Sequence, residues 1–315
     1  MKADLPANDI ITADNLLLDG KGILRKMQNR VQIQVDELPW QGCLSVPVRD
    51  TYDLNLRFAE KQFISHRNLT PTEIATDSNE RELLGACHLL ESCAQFWEGQ
   101  VVLLYMDNIN AVTICKKGSP KCRLQKYAEK ISKLCLAHNI DLRPVWIPRD
   151  LNFVADYLSN CFDFDDHQIT MEFFAQITKT ANVVPIVDRF ACDRTRKVPT
   201  FYSATYCPGT SGVDAFNYDW GVGGLNWIFP PLKMIARVLS HLELCKSAGL
   251  ILIPQWKNAY FYPLLVALKG TPAFKGRWIF GGQNVFIQGS DKTSYFGPSY
   301  NGNVEIWHID FSMCK

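Results

Sequence analysis

The chain has 315 residues, 47% of them hydrophobic, with 18 Phe and 8 Trp. That is enough for one large or two medium domains with real cores, and it excludes a disordered chain. A net charge of +1 excludes a generally basic nucleic-acid coat but leaves room for a local basic groove. Eleven Cys, an odd number without a Cys-x-x-Cys pair, argue against a disulfide framework or zinc site and predict reduced, mostly buried thiols. The opening Met-Lys-Ala-Asp-Leu-Pro does not read as a secretory leader, and no apolar run reaches the roughly 18 residues of a membrane helix. The expectation is an intracellular protein, cytoplasmic or nuclear, with no membrane partner.

Residues 1–29 carry no firm pattern and read as an N-terminal extension. Val31-Gln-Ile33-Gln-Val35 alternates apolar and polar residues and predicts a half-buried strand ending at Asp36. Trp40–Val46 predicts a second strand, and Leu56–Phe58 with Phe63-Ile64 a third, giving an antiparallel meander. A polar loop follows over 69–78. Asp77 or Ser78 then caps a helix over 79–97, with Leu83, Cys87, Leu90, Ala94 and Trp97 in one stripe and Glu82 beside it.

Val101–Met106 is a continuous apolar run into Asp107, the pattern of a strand buried on both faces. An acid at the carboxyl end of such a strand sits where open α/β sheets place their ligands. A short helix over 110–115 is predicted next, then one over 121–138. The apolar side of the latter carries Leu124, Ile131 and Cys135; the basic side carries Lys121, Arg123, Lys126 and Lys130. Such a face either follows a phosphate backbone or is simply solvated. A strand over 140–147 and a short helix over 150–160 carrying Asp156 complete an α/β layer with an antiparallel flap and a parallel centre.

After an acidic stretch at 163–166, residues 166–182 read as a connector ending in a helix. The second half restarts with Val183–Val187, again running into an acid, Asp188. A helix over 232–247, a buried strand over 250–254, a helix-containing loop over 256–268 and strands at 285–287 and 304–307 are predicted after it.

Asp36, Glu82, Asp107 and Asp156 end or begin elements that this order brings to one sheet edge. Four carboxylates without nearby bases repel and raise one another's pKa, and hard divalent cations relieve that. Two Mg²⁺ (or Mn²⁺) ions about 3.5–4 Å apart support phosphodiester hydrolysis. The alternative for each acid is a cap or a wet surface position.

The segment Trp146-Ile-Pro148-Arg-Asp-Leu-Asn152-Phe-Val154-Ala155-Asp156-Tyr-Leu158-Ser159 resembles the closing motif of ribonuclease H domains in retrotransposon polyproteins. Val35-Asp36 with Trp40-Gln-Gly42, Arg81-Glu82-Leu-Leu84 and Met106-Asp107-Asn108 match the other three motifs in order, although Glu37-Leu38-Pro39 replace the usual small pair after the first Asp. The resemblance implies a ribonuclease H-like mixed five-stranded sheet with flanking helices over 30–165. It further implies a metal-dependent endonuclease that cuts the RNA strand of RNA–DNA hybrids, with the four acids as catalytic metal ligands. Beyond it, Val187-Asp188-Arg-Phe190-Ala191, Val213-Asp214-Ala215-Phe216, Pro230-Pro231 and Pro254-Gln-Trp256 resemble the region after ribonuclease H in tyrosine-recombinase (DIRS-type) retroelements. That implies a second, smaller α/β domain over 183–315. No Tyr-x-Asp-Asp is present, so a reverse transcriptase is expected in trans.

Two other readings stay open. A non-catalytic nucleic-acid-binding or scaffold remnant fits the missing polymerase. The second half also resembles phage-type adenine methyltransferases at Phe229-Pro230-Pro231-Leu232, where that family carries Asn/Asp-Pro-Pro-Tyr. Phe cannot accept the hydrogen bond from an amine and Leu cannot stack as Tyr does. A Pro-Pro turn opening a helix is the simpler explanation there.

Overall fold

In a computed structural model the described residues are 31–35, 40–45, 63–152, 155, 167–289 and 295–312, with β1 and β2 described by their backbone. The chain divides into two units, the first comprising 1–162 with 205–208 and the second 163–204 with 209–315.

The alternating stretch Val31–Val35 forms β1, which pairs antiparallel with β2 (Trp40–Ser45); β2 pairs antiparallel with β3 (Phe63–Asn68). On the other side of β1 lies β4 (Val101–Met106), parallel to it, with Ile33 opposite Met106. Beyond β4 lies β5 (Asp141–Trp146), also parallel. The five-stranded order β3-β2-β1-β4-β5 is an antiparallel flap on a parallel centre, the sheet that the ribonuclease H resemblance implies. The expected strand at 56–58 lies outside the described residues.

Helix α1 (Ser78–Cys93) crosses β1, β2 and β3. Its first-turn N–H groups need acceptors, and the Asp77 side chain takes the one from Glu80 at 3.0 Å. The predicted stripe is buried as expected, with Leu83, Cys87, Leu90 and Trp97 at 2% exposure or less. The helix ends earlier than its pattern, at Cys93, and a 3-10 turn at Ala94–Phe96 carries the chain on to Trp97. Helices α2 (Ile109–Lys117) and α3 (Cys122–Ala137) add Ala111, Val112, Ile114, Leu124, Ile131 and Cys135 to the same core. Strand β4 turns Val102, Leu104 and Met106 wholly inward, whereas Val101 and Leu103 on its other face are only half-buried. A one-turn helix at Pro71–Ile74 stands inside the predicted polar loop; a capping box between Thr70 and Glu73 closes it.

The second unit is built on a six-stranded sheet ordered β11-β13-β10-β9-β7-β8. Strands β7 (Val187–Asp188), β8 (Thr200–Phe201), β9 (Asn226–Ile228) and β10 (Ala248–Pro254) run parallel; β13 (Asn303–Asp310) inserts antiparallel between β10 and β11 (Phe274–Gly281). The period of two along β10 explains its unbroken apolar run. Ile251 and Ile253 face a core with α5 (Ile235–Leu244) and α6 (Tyr262–Leu268), while Leu250 and Leu252 face one with α4 (Met171–Ala181).

Helix α4 is the helix expected at the end of 166–182, and it lies within the second unit. Its Phe173, Phe174 and Ile177 are buried in the second core, and the short ladder of β6 (Gln168–Ile169) with β12 (Phe286–Ile287) lies in the same unit. Strand β11 has no counterpart in the sequence reading, because Phe274-Lys-Gly-Arg-Trp-Ile-Phe-Gly281 mixes charge, Gly and aromatics without clean alternation.

Candidate active site

Two of the four predicted acids, Glu82 and Asp107, fall among the described residues; Asp36 and Asp156 lie outside them. Asp107 follows β4 at its carboxyl end and is half-buried. Two contacts bind this end of β4 to the end of β5: the Ile147 N–H donates to the Met106 carbonyl at 2.9 Å, and the Trp146 Nε1–H donates to the Asp107 carbonyl, also at 2.9 Å. Glu82 stands in α1 one turn from its start, at 3% exposure.

A pair of amides brings these two places together. Asn108 caps α2, its Oδ1 accepting the N–H groups of Asn110 at 2.9 Å and Ala111 at 3.1 Å. Its Nδ2 donates to Oδ1 of Asn79 at 3.1 Å. Asn108 is bonded to Asp107 in the chain, and Asn79 lies three residues before Glu82, about one helical turn. The first turn of α1 is therefore held against the carboxyl end of β4. In the sequence Asn108 stood only as the last residue of the Met106-Asp107-Asn108 motif, and Asn79 was not singled out. The signal available was their place, one beside each acid.

Three of the basic residues of α3 are ion-paired. Arg123 forms ion pairs with Asp77 and with Glu80 (2.8 Å to the latter), Lys126 approaches Glu80 at 3.7 Å, and Lys130 meets Glu91 at 2.8 Å. The hydrogen bonds that Arg123 donates to Asp77 and then Glu80 push its pKa further up. Burial acts to raise the Asp77 carboxyl, but the Glu80 N–H and Arg123 outweigh it and hold it below its ordinary value. Lys121, just before α3, is exposed.

Among the described residues no three His, Cys, Asp or Glu side chains come together as a metal group, so the predicted set depends on Asp36 and Asp156. The donors present at this edge, carboxylates flanked by side-chain amides, are oxygen donors suited to a hard cation such as Mg²⁺. Burial pushes the Cys87 and Cys115 thiols up to about 12, which favours their protonated form.

The second unit offers an acid of a different kind. Asp188, at the end of β7, is 2% exposed. It accepts the backbone N–H of Phe190 at 3.3 Å and of Lys197 at 3.0 Å. Burial raises its pKa to about 6 despite these bonds. In the Phe229-Pro230-Pro231-Leu232 stretch, Phe229 packs on His167, Phe286 and Phe296, with ring centroids 4.8–6.1 Å away. The Pro pair leads into a 3-10 turn at Leu232–Met234 and then α5, the helix-opening arrangement.

No protein-family profile matches the chain, and no curated protein matches it. Solved structures similar to part of it include ribonuclease H1 from the halophilic archaeon Halobacterium salinarum, at 14% identity over 42% of this chain and 95% of that one, TM-score 0.29. The N-terminal RNase H domain of a Mycobacterium tuberculosis protein, solved as a fusion with maltose-binding protein, is 17% identical over 42% and 91%, TM-score 0.30. LC11-RNase H1, isolated from compost and solved in complex with an RNA/DNA hybrid, is 19% identical over 41% and 93%, TM-score 0.30.

Proposed function

We propose that the first unit is a metal-dependent ribonuclease H-type endonuclease that hydrolyses the RNA strand of RNA–DNA hybrids. The observation that carries this reading is the meeting of the first turn of α1 with the carboxyl end of β4 through Asn79 and Asn108, which brings the Glu82 and Asp107 regions to one edge of a mixed sheet. Asp36, the residue after β1, and Asp156, in the motif after β5, complete the proposed set.

In this reading Glu82 and Asp107, with Asp36 and Asp156, hold two Mg²⁺ or Mn²⁺ ions. When bound, the ions supply Lewis acidity to the attacking water and to the departing oxygen of the phosphodiester. The chain's own contribution is position: β4 fixes Asp107, the capped first turn of α1 fixes Glu82, and the burial of Glu82 strengthens its interaction with a cation. Lys121, Arg123, Lys126 and Lys130 are proposed to contact the hybrid backbone. The three that are ion-paired are about half exposed at their cationic ends, so water and salt screen the pairs and a phosphate can compete for these cations.

The test is cleavage of a labelled RNA–DNA hybrid by the purified full chain in Mg²⁺, beside Asp107→Asn. Cleavage of the RNA strand by the parent and its loss in the variant are expected. A parent that binds the hybrid without cutting it would leave a nucleic-acid-binding remnant in place of the enzyme.

A further inference from the structure

Asn108 is placed to do more than cap a helix. Its Oδ1 is committed to two backbone N–H groups of α2, which fixes the orientation of the amide and leaves Nδ2 as the group that faces Asn79. Asn79 must therefore present its oxygen, and the 3.1 Å bond between them joins α1 directly to the junction of β4 and α2. The junction is otherwise tied to β5, through Trp146 and Ile147. The amide pair is thus a polar tie between the element bearing Glu82 and the one bearing Asp107. Sliding α1 along the sheet by even part of a turn would break this bond and change the separation of the two carboxylates.

We propose that Asn79 and Asn108 are positioning residues, an amide latch that sets the spacing of Glu82 and Asp107 for a divalent cation. This rests on the reading of those acids as metal ligands. The latch touches neither substrate nor ion. Its effect is on how well two carboxylates on separate elements are pre-arranged, so that less ordering is needed when the cation binds. Outer partners that orient metal ligands are typically worth about 10–100-fold in metal affinity.

The test is Mn²⁺ binding to the full chain by titration calorimetry, without nucleic acid. Asn79→Leu keeps the side-chain size, leaves the α2 cap intact and removes the acceptor; about tenfold weaker Mn²⁺ binding is expected, with an unchanged melting temperature. Asn79→Asp keeps the shape and the acceptor and is expected to restore parental binding. Should Asn79→Leu fail to fold, Asn108→Ser takes its place: the hydroxyl still caps α2 but is too short to reach Asn79, and the same weakening is expected. Asp107→Asn is the control. If the parent binds Mn²⁺, Asp107→Asn does not, and Asn79→Leu binds as the parent does, the latch is overturned while the metal site stands. Equal weakening by Asn79→Leu and Asn79→Asp also overturns the latch. No Mn²⁺ binding by the parent overturns the metal site itself, and the latch with it.

Discussion

Asp107 and Asp188 begin as the same pattern, an apolar run into a carboxylate, and end in opposite surroundings. Asp107 stands half-buried at the end of β4, next in the chain to Asn108, whose amide reaches Asn79 in the first turn of α1. Asp188 is fully enclosed at the end of β7 and spends its oxygens on the N–H groups of Phe190 and Lys197 in the following loop. An acid after a buried strand is therefore not a site by itself. The two differ in solvent access and in what surrounds the carboxylate.

The largest expected effect falls on the two described acids of the proposed site, buried Glu82 and half-buried Asp107. Glu82→Gln and Asp107→Asn should each lower hybrid cleavage at least about 100-fold, which is about 2.7 kcal/mol of barrier. Thermal melting should change little for Asp107→Asn. A loss of melting temperature that matches the loss of activity would instead make Asp107 a structural residue like Asp188.

Asp188 should reveal itself in stability against pH. Its folded pKa of about 6 lies above the ordinary 3.8, so the folded state holds the proton longer than the unfolded chain. Stability from this group is then greatest below about pH 4, falls as pH rises to about 6 and stays level above, by about 3 kcal/mol in all. In Asp188→Asn that slope should vanish, leaving a parent-minus-variant stability difference that falls across the same window. A difference that rises with pH would contradict the assignment.

An effect of similar size and opposite sign is expected at Glu73. Burial acts to raise its pKa, but Arg67, bound through both guanidinium arms at 2.7 Å, and the Thr70 N–H outweigh this and lower it to about 2. Its stabilisation is complete above pH 4.5 and is lost as pH falls toward 2. Glu73→Gln should cost about 1–3 kcal/mol at neutral pH and flatten the acid limb of the denaturation curve. The smallest change is expected on α3. Lys126→Ala with Lys130→Ala should shift folding stability by less than about 1 kcal/mol, because both ammonium groups are about half exposed and Lys126 only approaches buried Glu80, which keeps Arg123. Hybrid binding should become less salt-dependent, the log–log slope falling by about 1 for each phosphate contact removed. An unchanged slope would remove this face from the proposed interface.

Much of this was legible from the sequence because the patterns were local. The stripe of α1, the run of β4 and the antiparallel flap followed from spacing alone, and Glu82 and Asp107 could be named from motif order. The rest depended on partners distant in the chain. The salt bridges that occupy Arg123 and Lys130 come from Asp77, Glu80 and Glu91, some forty residues away, so the basic stripe read as free. The burial of α4 depends on β10 and β13, which lie far beyond it in sequence. Strand β11 owes its place to its ladder with β13 more than to its own composition. The Asn79–Asn108 bond joins positions 29 residues apart, and no periodicity announces it.

The most direct measurement compares Asp107→Asn with Asp188→Asn in the same assay, RNA-strand cleavage of an RNA–DNA hybrid in Mg²⁺ at neutral pH, with each protein shown folded at the assay temperature. Asp107→Asn should lose cleavage by about 100-fold or more while Asp188→Asn keeps the parental rate. Equal rates for parent and Asp107→Asn, or a loss in Asp188→Asn as large as in Asp107→Asn, would contradict the placement of the active site at the end of β4.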